Sequence, residues 1–257
     1  MHGGWAIVDA GGPRYVACGE LSAEGLAHAF TLRDENGPTP SRGPSQAVLG
    51  RLRLDGLVPA VPSQVHGSAV AIPDDAGLTR PREADAVLVV GSGSAAVATA
   101  DCVPAILHAP GRGAFAVVHA GWRGTLAGVL PRAVGALSEA AGVPPSSLSL
   151  ALGPAAGRCC YEVGPEVIEA FASACGPGIL ARAAGARGGR ATLDLVEANR
   201  AQAESAGLRP ERIHDSGICT VCRQDLCWSY RASGRAAGRM WAVAGLPAIP
   251  SSEARAS

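Results

Sequence analysis

The chain contains no lysine; all 22 of its basic residues are arginine. That absence excludes Schiff-base chemistry, pyridoxal phosphate attachment and the lysine of a phosphate-binding P-loop. Any bound phosphate has to be met by arginine or by backbone N–H groups. Neither sign of charge is in excess, since 22 basic side chains face 22 acidic ones, so no basic field draws in nucleic acid or an anionic membrane. Aromatic residues make up only 4% of the 257 positions, which leaves Val, Leu and Ala to fill the core. No apolar run reaches the roughly 20 residues of a membrane span, and no basic, apolar and small-residue series marks a secretory leader. These absences lead us to expect a cytoplasmic protein that handles small molecules, whose eight cysteines are thiols or metal ligands and not a disulfide framework.

What is present suffices for a packed core: 47% of the residues are apolar, and 34 glycines with 19 prolines supply many turns. "WAIVDAGGPRYVAC" and "LAHAFTLR" read as two early strands around a glycine turn, the second ending at Arg33, and "DENGPTPSRGPSQ" as loop. "GLVPAVPSQVHGSAVAIP" is extended, its prolines barring a helix. "ADAVLVVG", "AAVATADCVPAILHA" and "GAFAVVHAG" read as three adjacent buried strands. From Thr125 the apolar residues recur at three and four, so "TLAGVLPRAVGALSEAAG" is an amphipathic helix, kinked by Pro131 or starting near it. "LSLALGP" is a further strand, "PEVIEAFASACG" and "LDLVEANRAQAESAG" are helices, and "IHDSGICT", "CWSYRASG" and "RMWAVAGL" close the chain as strands and turns. No charge-rich linker, internal repeat or low-complexity block divides the chain, so a single domain is expected over 1–248, with a disordered tail over 249–257. Gly91, Gly93 and Ala96 mimic a dinucleotide fingerprint, but a strand follows them instead of a helix, and no acid lies at the ribose-binding distance.

His66, Cys102 and His119 each stand at or near the end of an extended run. Neighbouring strand ends bring such side chains together across long separations in sequence. Two imidazoles and a thiolate suit Zn²⁺, with the fourth tetrahedral position left open. Spacing alone leaves two other readings: inert buried side chains, or Cys102 as a nucleophile activated by His119 with Asp101 or another acid orienting the ring. Cys219, Cys222 and Cys227 form C-x-x-C plus a third thiol, a structural zinc arm or a redox pair with His214 nearby, although reduced packed thiols are the plainer expectation. Cys159 and Cys160 in "GRCCYEVG" read as inert residues under Tyr161.

Taken in order, "QVHG", "ADAVLV", "TADCVPAIL", "AVVHAGWRGT", "LGPAAGRCCYEVG", "LDLVEANRAQ", "DSGICT" and "SYR" resemble the YfiH/DUF152 family over about residues 60 to 245. That family is also called multicopper polyphenol oxidoreductase, laccase-like protein or purine nucleoside phosphorylase, and includes the peptidoglycan editing factor. The resemblance implies an α/β fold, a single domain of layered mixed β-sheets flanked by helices, with zinc held by two histidines and a cysteine, which fall on His66, Cys102 and His119. It also implies phosphorolysis of adenosine, inosine and methylthioadenosine and deamination of adenosine; copper-dependent phenol oxidation has been attributed to the family as well. Phe30, Thr31 and Arg33 match the family's N-terminal F-[ST]-x-R stretch, but the glycine-rich, serine-containing turn that usually follows is replaced within residues 31–50.

On this reading zinc provides hydroxide for attack at C6 of a purine. Asp101, next to Cys102, is the candidate proton shuttle, or else an acceptor that orients a histidine ligand. Phosphorolysis requires an anion site, for which Arg123 is the candidate at the mouth of a helix capped by Thr125, with Arg33 as the second and Gln64 as a polar substrate contact. The expected partners are purine nucleosides and phosphate, with no nucleic acid and no membrane, and the protein is expected to be a monomer or weak homodimer. Two other classes stay open: a Cys–His thiol hydrolase, and a zinc-binding factor acting in peptidoglycan precursor fidelity. A copper phenol oxidase is the weakest reading, because six histidines in all are few for blue and trinuclear copper sites.

Overall fold

The computed structural model describes residues 4–9, 11–33, 43–73 and 82–247. The expected tail over 249–257 and residues 34–42 of the expected loop lie outside them. The chain begins with β1 (Trp5–Val8), β2 (Tyr15–Cys18), α1 (Gly19–Ala23), β3 (Ala27–Thr31) and α2 (Gln46–Arg51). Then come β4 (Val70–Ala71), β5 (Ala86–Val90), β6 (Gly93–Thr99), β7 (Val103–Ala109) and β8 (Ala114–Ala120). Helices α3 (Trp122–Leu126) and α4 (Val129–Ala141) precede β9 (Ser149–Leu152), α5 (Pro165–Ala183), β10 (Ala184–Arg187) and β11 (Arg190–Leu193). The last elements are α6 (Leu195–Ser205), β12 (Ile213–Asp215), α7 (Tyr230–Ser233) and β13 (Met240–Leu246).

Two sheets stack face to face. One has the order β1-β2-β3-β13-β6 and is antiparallel throughout; the other has the order β12-β9-β7-β8-β5-β4, with parallel pairs at both edges. Strands β7 and β8 are buried along their whole length, because their two faces pack in two different cores. Ala105, Leu107, Ala116 and Val118 meet α4, α5 and α6. Ile106, Phe115 and Val117 meet Phe30, Val97 and Met240 of the other sheet. A strand covered on both faces reads as a continuous apolar run, which is why these segments show no alternation. The outer face of the five-stranded sheet packs Ala29, Trp241 and Val243 against Val48 and Leu49 of α2. The result is four layers in the order helix, sheet, sheet, helices, the mixed α/β arrangement expected from the sequence.

Several local expectations are corrected. "AAVATADCVPAILHA" is not one strand: it breaks after Thr99, and β6 and β7 belong to different sheets. Asp101 turns the chain there with a φ of 89°, a left-handed conformation that few non-glycine residues adopt. The helix expected from Thr125 starts earlier, at Trp122, and is interrupted by Gly128 at φ 73°. Thr125 is therefore no N-cap: it is buried inside α3 and accepts a hydrogen bond from Asn199 Nδ2. Pro131 lies in the first turn of α4, where its missing N–H would have had no partner in the helix. The first segment splits into the β1–β2 hairpin, and "CWSYRASG" holds the short helix α7. Unforeseen was the β10–β11 hairpin, turned by Gly188 and Gly189 at φ 56° and 78°. Its strands are half-exposed and arginine-rich, so no apolar periodicity marks them.

Candidate metal centre and substrate pocket

The break between β6 and β7 carries the chain from one sheet to the other, and the site forms at this crossing. Cys102 lies one residue before β7, whose first pair is Val103 with Ala120 at the end of β8. His119 follows Phe115 and Val117 on the inter-sheet face of β8, so the alternation of the strand points it at the same place. The third side chain arrives from the extended segment before β4, which is held by single bridges to β6, Ala60 with Ala95, and to the stretch leading into β5, Ser63 with Glu83. Gln64 adds to the clamp: its amide donates to Ala98 O and accepts from Ala98 N, both at 2.8 Å.

His66, Cys102 and His119 each offer a ligand atom within 4.8 Å of the other two. The two imidazole rings meet edge to face with centroids 4.8 Å apart. Gly121 closes the back of the cluster, where a Cβ would lie 2.8 Å from His66 Nδ1 and 3.0 Å from Cys102 Sγ.

Asp85, fully buried just before β5, organises the cluster. Its Oδ1 accepts from His119 Nδ1 at 2.7 Å and from the His66 N–H at 3.0 Å. Its Oδ2 accepts from the N–H groups of Gly67 at 2.6 Å and Val65 at 3.2 Å. His66 has a φ of 58°, and this ring of N–H donors around one carboxylate holds that turn in place. The bond to Nδ1 fixes the His119 tautomer and leaves Nε2 free to serve as a ligand, the arrangement that orients metal-bound histidines.

Without a metal the cluster is an ion pair. Burial opposes ionisation of Cys102, but His119 and His66 outweigh it and bring its pKa down to about 6. Burial likewise disfavours a charged His119, and Asp85 and Cys102 outweigh that, raising its pKa to about 9. Asp85 is held below the usual carboxylate range: burial pushes it up, and the bonds from His119 and from the N–H groups of Gly67 and Val65 push it further down. A thiolate and two imidazoles, one anchored by a carboxylate, form a donor set that fits Zn²⁺.

The cluster opens on a pocket of about 790 Å³, large enough for a nucleoside. The three candidate ligands, Gln64 and Asp101 line it, together with Trp122, Tyr161, Tyr230, Arg231 and Arg239. Asp101 Oδ1 accepts from Thr220 Oγ1 and its Oδ2 from the Arg231 N–H, both at 2.6 Å. The Arg231 guanidinium lies 4.7 Å from the Tyr161 ring centre.

Of the residues singled out in the sequence, the structure gathers Gln64, His66, Asp101, Cys102 and His119 around this pocket. Arg33 and Arg123 are not among its lining residues. Arg33 stacks on Trp228 at 4.1 Å and donates to Gln224 O, and the exposed Arg123 stacks on Trp122 at 4.3 Å. The sequence reading missed Asp85, Tyr161, Tyr230, Arg231 and Arg239 as site residues, although "ADAVLV", "CCYEVG" and "SYR" contain four of them. The usable signal was an acid directly before a wholly apolar strand, a place where a buried carboxylate needs partners.

The family described as multi-copper polyphenol oxidoreductase laccase matches residues 46–247. The chain belongs to this family. A purine nucleoside phosphorylase of Streptomyces coelicolor is 39% identical over 186 residues, covering 70% of this chain and 73% of that one. The adenosine deaminase RL5 of an unknown prokaryotic organism is 36% identical over 206 residues, covering 72% and 73%. A purine nucleoside phosphorylase, YlmD, of Geobacillus stearothermophilus is 37% identical over 150 residues, and the match spans 58% of this chain and 55% of that protein. Among solved structures, YlmD from G. stearothermophilus superposes with a TM-score of 0.81 at 26% identity, covering 94% of this chain and 98% of that one. The Bacillus licheniformis hypothetical protein YfiH superposes with a TM-score of 0.81 at 23% identity, over 95% and 100%, and supports the fold alone.

Proposed function

We propose that the pocket is the active site of a zinc-dependent purine nucleoside enzyme, which cleaves adenosine, inosine or methylthioadenosine with phosphate and deaminates adenosine. The observation that carries this reading is the convergence of His66, Cys102 and His119 at one wall of a nucleoside-sized pocket. Relatives named for nucleoside phosphorolysis and for adenosine deamination support it.

His66, Cys102 and His119 would hold the ion, and Asp85 would keep His119 in the ligating tautomer. A zinc ion with three protein ligands supplies Lewis-acid polarisation of a reacting oxygen at neutral pH. The protein's own groups do the rest. Tyr161, Tyr230 and Trp122 offer flat surfaces against which a purine stacks. Arg231 and Arg239 are the guanidiniums at the pocket, and they take the anion-binding role that the sequence suggested for Arg123 and Arg33. Asp101, buried at the pocket wall, is the group placed to hold a proton, while Thr220 and the Arg231 N–H fix its carboxylate.

A second reading has one specific observation in its favour. Asp85, His119 and Cys102 form an acid–imidazole–thiol series, with the thiol ionising near pH 6, which is the relay of a thiol hydrolase. His66 argues for a metal, because a thiol relay has no use for a second imidazole against the sulfur. Copper oxidation has less support. Among the described histidines His28, His108 and His214 lie beside Leu26, Glu24 and Glu20 and not at the pocket. The protein is expected to act in the cytoplasm as a monomer or weak homodimer; among the described residues no helix is long and apolar enough to cross a membrane.

Chromatography of adenosine reactions with and without phosphate tests the reading. Adenine with ribose 1-phosphate, or inosine, formed only by zinc-loaded protein is the expected result. Turnover that survives complete metal removal and is abolished by alkylation of Cys102 would replace it with the thiol hydrolase.

A further inference from the structure

A second cluster of cysteines includes Cys160, the residue before Tyr161, and none of its members is among the residues that line the pocket. Cys159 and Cys160 lie in the loop between β9 and α5, and Cys219 and Cys222 in the loop between β12 and α7. About 60 residues separate the two pairs, yet all four sulfurs fall within 4.8 Å of one another. Cys222 Sγ is 3.5 Å from Cys159 Sγ and 3.4 Å from Cys160 Sγ, and all four thiols are free. Four thiolates around a zinc ion at the usual bond length of about 2.3 Å form a tetrahedron with edges of about 3.8 Å. The observed separations are close to that edge. An iron–sulfur core would spread its four ligands further apart, because inorganic sulfide sits between them.

The surrounding backbone suits an anion-rich cluster. The N–H of Gly157 donates to Cys219 Sγ at 3.3 Å, and the N–H groups of Val221 and Cys222 face the same sulfur. Arg187 donates to the carbonyl of Cys159. Gly157 packs directly against the cluster: a Cβ there would be in van der Waals contact with Cys219 Cβ at 3.4 Å and Cys159 Sγ at 3.5 Å.

We infer that Cys159, Cys160, Cys219 and Cys222 form a structural tetrathiolate site for a zinc ion, separate from the pocket cluster. Each thiol releases its proton to solvent as the ion binds. With four protein ligands the site is closed, so its role is structural. It fastens together two loops already joined by the bridge of Ala155 with Cys219 and by the Thr220 N–H to Ala155 O. The same loops carry Tyr161, which lines the pocket, and Thr220, which holds Asp101. This ion therefore fixes one wall of the pocket without touching substrate. The C-x-x-C pair finds its partners in Cys159 and Cys160; Cys227, the third thiol of the sequence motif, is buried in the core between the sheets.

Elemental analysis of the full chain, purified under reducing conditions in a Cys102→Ala background, tests this independently of the pocket cluster. One zinc per chain is expected to remain in that variant. It should fall at least tenfold when Cys160→Ser or Cys222→Ser is added, and stay unchanged with Cys175→Ser, a cysteine outside both clusters. Replacing the zinc of the Cys102→Ala protein with Co²⁺ needs no substitution in the cluster, so it remains informative if the serine variants fail to fold. It should give the strong sulfur-to-cobalt charge-transfer absorption of a tetrathiolate. Zinc content insensitive to Cys160 and Cys222, cobalt absorption lacking that band, iron in place of zinc, or a zinc-free protein with Cys159 or Cys160 disulfide-linked to Cys219 or Cys222 would each overturn the inference.

Discussion

Asp85 Oδ1 sits 2.7 Å from His119 Nδ1 and 3.0 Å from the backbone nitrogen of His66, so one buried carboxylate fixes two of the three candidate ligands. Replacing it with asparagine keeps the shape but removes the charge and offers a single acceptor oxygen to four donors. Asp85→Asn is expected to weaken zinc binding about 10- to 100-fold. The loss of pairing inside the fold should also lower stability by on the order of 3 kcal/mol. Competition with a chromophoric chelator and urea denaturation measure the two effects.

The same carboxylate predicts how the metal-free protein responds to acid. Its folded pKa is depressed, so its contribution to stability is fully present above the unfolded carboxylate value of about 3.9 and is lost as pH falls through the lower folded value. Unfolding free energy of the metal-free wild type should fall more steeply below about pH 4 than that of Asp85→Asn. Parallel slopes for the two proteins would contradict the assignment.

Gly121 has room for no side chain. A methyl group there would meet His66 Nδ1 at 2.8 Å and Cys102 Sγ at 3.0 Å. Gly121→Ala is therefore expected to cut zinc affinity by at least tenfold while leaving the circular dichroism spectrum and oligomeric state of the protein unchanged. Unchanged zinc affinity at the pocket cluster in this variant would show that His66 and Cys102 do not meet at Gly121 as described.

Cys102 in the metal-free protein should behave as a thiolate over most of the neutral range, because its pKa is about 6. Alkylation by iodoacetamide, followed by mass spectrometry of the Cys102 peptide, should show a rate that falls only as pH drops below about 6. Zinc should protect Cys102. A rate that still climbs between pH 8 and 9 would place the thiol at its ordinary value.

Arginine choice at the pocket can be read from kinetics. Arg231→Ala should raise the KM for phosphate at least tenfold, since Arg231 lines the pocket beside Tyr161, whereas Arg123→Ala should have a smaller effect. The reverse order would return the anion site to the position suggested by the sequence.

The legibility of this chain follows from burial. Strands such as "GAFAVVHAG" announce themselves because both faces are covered, and helix α6 begins at Asp194, whose side chain accepts from Glu197 N as its sequence context suggests. His66, Cys102 and His119 were readable as ligand types at strand ends, but their meeting depends on β6 and β7 lying in different sheets, which no local pattern encodes. Asp85 was hidden for a similar reason: its partners are backbone N–H groups 18 to 20 residues earlier and a histidine 34 residues later. The cysteines were the hardest case. Local spacing tied Cys219 and Cys222 to Cys227, whereas the loops pair them with Cys159 and Cys160 from across the fold.

The most direct test of the pocket is a zinc titration of metal-free protein in which bound ion and nucleoside turnover are read together, for wild type and Cys102→Ala. Product formation from adenosine and phosphate should rise in proportion to the zinc that wild type binds and Cys102→Ala does not, and the variant should stay inactive throughout. Full turnover by metal-free wild type, or equal zinc and equal turnover in the variant, would contradict a zinc nucleoside site at His66, Cys102 and His119.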